Sequence, residues 1–147
     1  MQEQNAIANH LQRNANAMTS SEIENLKGAI RVRLRRDFVA VPAAREGSLK
    51  THLEVWETKR GRRAIGVEFD HADRVNLWLT TLGMPRSLPD TISRADKEPR
   101  GRGWTDDRGD GANSNLSAYP QFASKAIVRL GVTKLEDATI VLDHLLG

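Results

Sequence analysis

The chain contains no cysteine. This absence excludes disulfide bonds, thiolate metal sites and a cysteine nucleophile. No apolar run approaches the roughly 18 residues that a membrane-spanning helix needs, and residues 1–18 lack the apolar segment of a secretory signal. Because a chain without cysteine is compatible with a reducing compartment, we expect a cytoplasmic protein with no membrane partner.

A large excess of charge is also lacking, since the net charge of the 147 residues is only +3. The hydrophobic share of 39% and the charged share of 28% are typical of a soluble globular domain. The cations are nevertheless clustered, with five in residues 27–36 and four in residues 59–63, and neither segment contains an acid. Clustered cations favour an acidic partner, and the alternative is two solvated surfaces.

The N-terminal third predicts a helix. Residues 1–19 are rich in asparagine, a poor helix former, and we expect an arm or a weak helix there. Four apolar residues then recur at spacings of three and four: Ile23, Leu26, Ile30 and Leu34. This stripe predicts a helix, which Thr19 or Ser21 can cap. Val32 alternates with arginines between Ile30 and Leu34, so a strand stays open as the alternative.

The middle of the chain predicts a hairpin followed by a helix. Residues 52–59 and 63–69 alternate apolar and polar side chains around a basic link that contains Gly61, a pattern typical of a β-hairpin. The next segment has apolar residues at helical spacing between a capping Asp70 and a terminating Gly83. We therefore expect a helix over residues 71–82.

The remaining segments predict a loop, a strand and a final helix. Residues 84–120 hold four of the five prolines and few apolar side chains, which indicates a long irregular loop. Residues 125–132 alternate as a strand does, and residues 133–147 carry a helical stripe. Thr133 with Glu136 would form a capping box at the start of that helix.

Together these elements predict a single α+β domain over residues 20–147. We expect a small antiparallel sheet that contains the basic-tipped hairpin, with helices packed on one face. The long irregular loop would precede the last strand and helix.

The clustered cations predict a nucleic-acid-binding surface that contacts mainly phosphates. A two-stranded ribbon fits a major groove of about 12 Å, or its tip can lie along the backbone. The predicted contacts on the hairpin tip and the helix are Lys59, Arg60, Arg62, Arg63, Arg31, Arg35 and Arg36. Arg102 and an exposed Trp104 would assist, since an aromatic ring can stack on a base. Alternatively, the charged tip prevents edge-to-edge pairing and Trp104 pins the loop to the core.

The stretch WETK contains Glu57 and Lys59 as an E-x-K pair. It resembles the second half of the motif of the PD-(D/E)xK nucleases. The resemblance implies that Glu57 and an upstream aspartate, here Asp37, bind a divalent metal while Lys59 positions or activates water. The alternative is a cross-strand ion pair within a charged hairpin.

Other signatures of site chemistry are missing. The sequence has no zinc-finger, homeodomain, RRM, P-loop, EF-hand or G-x-S-x-G pattern, and its four histidines have no ligand spacing. We therefore predict no metal and no cofactor, and a small non-enzymatic binding protein whose partner is nucleic acid. Two alternatives stay open: a protein-interaction or assembly module, including a homo-oligomer, and the metal-dependent nuclease.

Overall fold

The computed structural model describes residues 19–42 and 52–147. Apart from Thr19, the predicted N-terminal arm lies outside the described residues. The two helices are α1 (Ser20–Asp37) and α2 (Leu135–Leu146). The seven strands are β1 (Phe38–Ala40), β2 (Leu53–Thr58), β3 (Ala64–Glu68), β4 (Val75–Thr80), β5 (Ser93–Arg100), β6 (Gly103–Thr105) and β7 (Ile127–Val132). Neither described helix combines the length and the apolarity that crossing a membrane requires.

The seven strands form one antiparallel sheet, and the predicted α+β class is confirmed. The strand order is β1-β2-β3-β4-β7-β5-β6, so β7 is inserted between β4 and β5. The predicted hairpin is β2 and β3, which pair antiparallel with Val55 opposite Gly66. The predicted strand at residues 125–132 is β7, which pairs with β4 on one side and β5 on the other.

Both helices pack on one face of the sheet, called here the helix face. The predicted α1 stripe is buried, and Ile30 and Leu34 have no exposed surface. These side chains join the apolar residues of α2 and of the central strands in one hydrophobic core. The hydroxyl of Thr19 accepts a hydrogen bond from the backbone N–H of Glu22, which confirms the predicted cap. The capping box at Thr133 is wrong, because α2 begins after Lys134 without a side-chain cap.

The opposite face, called here the loop face, carries a second core. The chain between β6 and β7 crosses this face and includes a short 3-10 helix, Ser114–Ala118. Leu116 and Phe122 from this segment are fully buried against Trp78 of β4 and Leu53 of β2. Because both faces of the sheet are covered, its central strands are buried on both sides.

This double burial explains why the predicted helix over residues 71–82 is wrong. The segment forms β4, in which every residue but the last is buried. Val75, Leu77 and Leu79 face the helices, while Asn76 and Trp78 face the loop side. A strand covered on both faces loses the apolar–polar alternation, and the resulting apolar run satisfied the helical spacing as well.

The predicted irregular loop over residues 84–120 is also wrong in part, because it contains β5 and β6. Most β5 residues are exposed, and its polar composition is therefore that of a loop. Pro99 lies where β5 has left β7 and pairs only with β6. Such a marginal position tolerates a proline, which cannot donate to the sheet.

Candidate functional site

Strand register gathers several connecting segments at one end of the sheet. Glu57 lies opposite Ala64, and Thr80 and Lys97 both lie opposite Ile127 of β7. The β2–β3 turn, the residue before β7 and the β5–β6 hairpin consequently extend from this end. They carry seven exposed cations: Lys59, Arg60, Arg62, Arg63, Arg100, Arg102 and Lys125. We call this set, with Arg35 and Arg36 at the end of α1, the basic end.

Contacts to both helices hold the β2–β3 turn in this position. The Nζ of Lys59 donates to the carbonyl of Arg36, the penultimate residue of α1, at 3.1 Å. The Nη1 of Arg63 donates to the carbonyls of His144 and Leu145 near the end of α2, at 3.3 and 3.1 Å. Helix C-termini leave carbonyls unpaired and carry partial negative charge, so cations are stabilised there. The convergence of cations from the turn and α1 therefore has a local physical cause.

The turn itself adopts a strained backbone. Gly61 has φ of 80° and Arg62 has φ of 47°. Glycine enters this left-handed region freely, whereas an L-residue such as arginine pays about 1–2 kcal/mol. Strain of this kind persists where the surrounding structure enforces it, and it is common at functional sites.

Three of these cations line one small cavity. It has a volume of about 200 Å³ and is bordered by Arg62, Arg63, Ala64, Thr80, Gly83, Gln121, Lys125 and Leu145. None of these lining residues, all from the described part of the chain, is acidic. Arginine presents a planar fork of N–H donors, and lysine a compact charge. The arrangement is suited to an oxyanion such as phosphate.

Gln121 connects this cavity to the loop-face core. Its Nε2 donates to the Oε2 of Glu57 at 3.4 Å, while its Oε1 is buried with no hydrogen-bond partner among the described residues. The Nζ of Lys125 donates to the carbonyl of Gln121 at 3.3 Å. The crossing segment between β6 and β7 thus supplies one cation and one amide to the cavity.

Two predicted contact residues are already paired with carboxylates, and one of them, Arg31, lies away from the basic end. Arg31 donates to the Oε2 of Glu54 at 2.6 Å and its guanidinium lies 3.9 Å from the ring centre of Phe69. The carboxylate of Glu54 therefore neutralises Arg31, and the pair lies on the helix face, away from the basic end. Arg36 stays at the basic end but pairs with Asp37 at 2.9 Å. The hydrogen bond from Arg36, together with one from Arg33, lowers the pKa of Asp37 to about 2.

Trp104 is buried, which corrects the prediction of an exposed stacking residue. Its side chain is 7% exposed, and its Nε1 donates to the carbonyl of Lys125 at 2.6 Å. The ring therefore pins β6 to the segment before β7, which was the alternative interpretation. Its neighbour Arg102 is exposed at the tip of the β5–β6 hairpin, as the sequence predicts.

The E-x-K residues do not converge on a common point. Glu57 is hydrogen-bonded to Gln121, and Lys59 reaches the carbonyl of Arg36. Asp37 is held by Arg33 and Arg36. Within residues 19–42 and 52–147, no group of three or more acidic or histidine side chains could hold a metal ion. The geometry of these side chains gives no support to the nuclease hypothesis.

Sequence reasoning missed Lys125 and Arg100 as members of the basic end. Arg100 ends β5 and Lys125 precedes β7, so only the strand order shows that both lie at the same end of the sheet as the β2–β3 turn. Comparisons with protein-family models, curated proteins and solved structures gave no match to this chain.

Proposed function

We propose that this protein binds nucleic acid through the phosphate backbone at the basic end. The observation that carries this proposal is the cavity of about 200 Å³ in which Arg62, Arg63 and Lys125 meet and none of the lining residues is acidic. Cations held beside one another without carboxylates repel, and an anion between them relieves that repulsion. A linear polyanion can engage this cavity and the remaining cations of the turn at once.

The expected strength follows from the number of available cations. Eight of the nine cations of the basic end form no ion pair within the described residues, and the slope is worked here for the four of the β2–β3 turn and the lysine beside them: Lys59, Arg60, Arg62, Arg63 and Lys125. If each neutralises one phosphate of a duplex, log K falls with log salt at a slope of about −4.5, from roughly −0.9 per contact. Such contacts position the protein on nucleic acid without selecting a sequence.

A salt titration of fluorescence anisotropy tests the proposal. A labelled 20-base-pair duplex is titrated at several salt concentrations with the wild type and with Arg60→Ala/Arg62→Ala/Arg63→Ala. We expect the triple variant to reduce the slope by about three, since three phosphate contacts are lost.

A matched control removes three cations from the opposite end of the sheet. Arg74, Arg94 and Lys134 lie just before β4, at the start of β5 and just before α2, so their alanine triple changes the net charge equally. We expect this control to retain the wild-type slope within about one unit. Equal losses in both triples, or a slope unchanged by the turn substitutions, would refute binding at the basic end.

A further inference from the structure

A second and larger cavity lies on the loop face, with a volume of about 520 Å³. Its floor is formed by Ala95 and Lys97 of β5 with Arg129 of β7, and its wall by residues 106–111. Arg129 lies directly opposite Ala95 in the register, and the small alanine leaves the space above the strands open. The cavity's volume is within the range of small-ligand sites, and eight of its ten lining residues are charged, so a ligand that enters it must be polar.

The wall of this cavity is built on a buried ion pair. Lys97 is only 2% exposed, and its Nζ donates to the Oδ2 of Asp106 at 2.7 Å. The other oxygen of Asp106 accepts the backbone N–H groups of Arg108 and Asp110, both at 2.9 Å. The Asp106 carboxylate therefore fixes the backbone of the 106–111 segment, and with it the positions from which this segment's side chains reach the cavity.

Charges of both signs remain available in the cavity. Arg94 pairs with Asp96, and Lys97 pairs with Asp106. The side chains of Arg108, Arg129, Asp107 and Asp110 have no ion pair or side-chain hydrogen bond with the described residues. The guanidinium of Arg129 lies 5.8 Å from the ring centre of Trp78, whose Nε1 is buried without a partner in the described chain.

We propose that this cavity receives an unstacked guanine base. This inference rests on the nucleic-acid binding proposed above. Guanine presents two acceptors, O6 and N7, which match the donor fork of an arginine such as Arg129. Its N1–H and N2–H groups are donors, which match an acceptor-only carboxylate such as Asp107 or Asp110. Splaying single-stranded bases into pockets and reading their edges is the common mode of sequence recognition in single strands.

Other ligands match the unpaired charges less completely. An inorganic anion would satisfy Arg108 and Arg129 but would leave Asp107 and Asp110 facing a like charge. Cytosine offers a single exocyclic donor group to a carboxylate, and adenine and uracil lack the pair of acceptors on one edge that suits arginine. Guanine is therefore the base that offers a pair of acceptors to an arginine and a pair of donors to a carboxylate.

Calorimetric titration with the four nucleoside 5′-monophosphates tests this assignment. GMP, AMP, CMP and UMP share the same phosphate, so differences between them report the base, and inorganic phosphate measures the phosphate alone. We expect GMP to bind about 5- to 150-fold more tightly than the other three, the discrimination given by one good bidentate contact. Preference for another base, or equal affinity for all four and for inorganic phosphate, would overturn the proposal.

Variants then separate this site from the basic end. Arg129→Gln and Asp107→Asn/Asp110→Asn should each weaken GMP binding by about 5-fold or more, and Arg86→Gln, an exposed arginine that does not line the cavity, should not. If Arg129→Gln fails to fold, GMP binding by the Asp107→Asn/Asp110→Asn variant decides the outcome, because both substituted side chains are exposed. The triple alanine variant of the β2–β3 turn should bind GMP as the wild type does while its duplex affinity falls. A wild-type protein that shows no guanine preference but has the expected salt slope would refute this inference alone, whereas a guanine preference with a salt slope unchanged by the turn substitutions would refute only the proposed binding at the basic end.

Discussion

The loop-face core depends on close packing at Gly66, and this gives a prediction with a calculable size. A Cβ at this position would lie 3.2 Å from the Cδ2 of Leu116, 3.3 Å from the Cδ1 of Leu53 and 3.3 Å from the Cβ of Trp78. Carbon atoms prefer separations of about 3.5–4.0 Å. The Trp78 Cβ is attached to the backbone of a central strand, so the crossing segment that carries Leu116 must move outwards.

The expected cost of Gly66→Ala combines two opposing effects. Overpacking of a core costs about 1–3 kcal/mol, while replacing glycine in a strand returns about 0.4–1 kcal/mol by restricting the unfolded chain. The net loss in the free energy of unfolding is therefore about 1–2 kcal/mol, which lowers the melting temperature by roughly 2–8 °C in a protein of this length. Urea unfolding followed by circular dichroism and by tryptophan fluorescence measures it.

A double-mutant cycle with Leu116 identifies the cause. Leu116→Ala alone should cost about 2–5 kcal/mol, because the side chain is fully buried. Removing the leucine also removes the closest contact to the new methyl group, so the double variant should be more stable than the sum of the singles predicts by about 1 kcal/mol.

Gly103→Ala is the matched control for this cycle. Gly103 also lies in a strand, yet a Cβ there would meet no atom within 4 Å. Its substitution should cause no loss and should raise the free energy of unfolding by up to about 1 kcal/mol, because the unfolded chain is restricted without any overpacking. Additive effects of Gly66→Ala and Leu116→Ala, or an equal loss in Gly103→Ala, would refute the packing argument.

Three further predictions concern polar groups. Glu68→Gln should lower the free energy of unfolding by about 1–3 kcal/mol, measured by urea titration. Both carboxylate oxygens of Glu68 accept amide N–H groups, from Asn76 and Asn113, and the substitution turns one acceptor into a donor. Substitution of an exposed glutamate, Glu98→Gln, is the control. The Lys97 ammonium is the main cause that lowers the pKa of Asp106 from 3.8 to about 2. This pairing therefore stabilises the fold fully above about pH 4 and is lost as pH falls towards 2; an acid titration in which Asp106→Asn leaves that loss unchanged would contradict the assignment. Arg62→Gly should raise stability by up to about 1 kcal/mol by relieving the left-handed arginine, while duplex binding by anisotropy weakens; a loss of stability would show that the side chain contributes more than the strain removes.

Local patterns in the sequence were sufficient for the elements that are buried on one side. The stripe of α1 and the apolar face of α2 meet the core on one side, and β2 keeps an alternation in which Leu53 and Val55 are more deeply buried than their neighbours Glu54 and Trp56. A single buried face imposes the period of the element on the sequence. The exposure of the cationic hairpin tip could also be predicted from the sequence, because a turn between two alternating strands lies at the protein surface.

Only the tertiary structure decided the identity of β4 and β5 and the composition of both candidate sites. Burial on both faces removed the strand period from β4, and exposure at the sheet margin gave β5 the composition of a loop. Lys125 and the β2–β3 turn share a cavity because β7 is inserted beside β4, and Arg129 meets the 106–111 segment because β5 pairs with β7. These neighbours are far apart along the chain, and strand pairing between distant segments leaves no periodic trace in either of them.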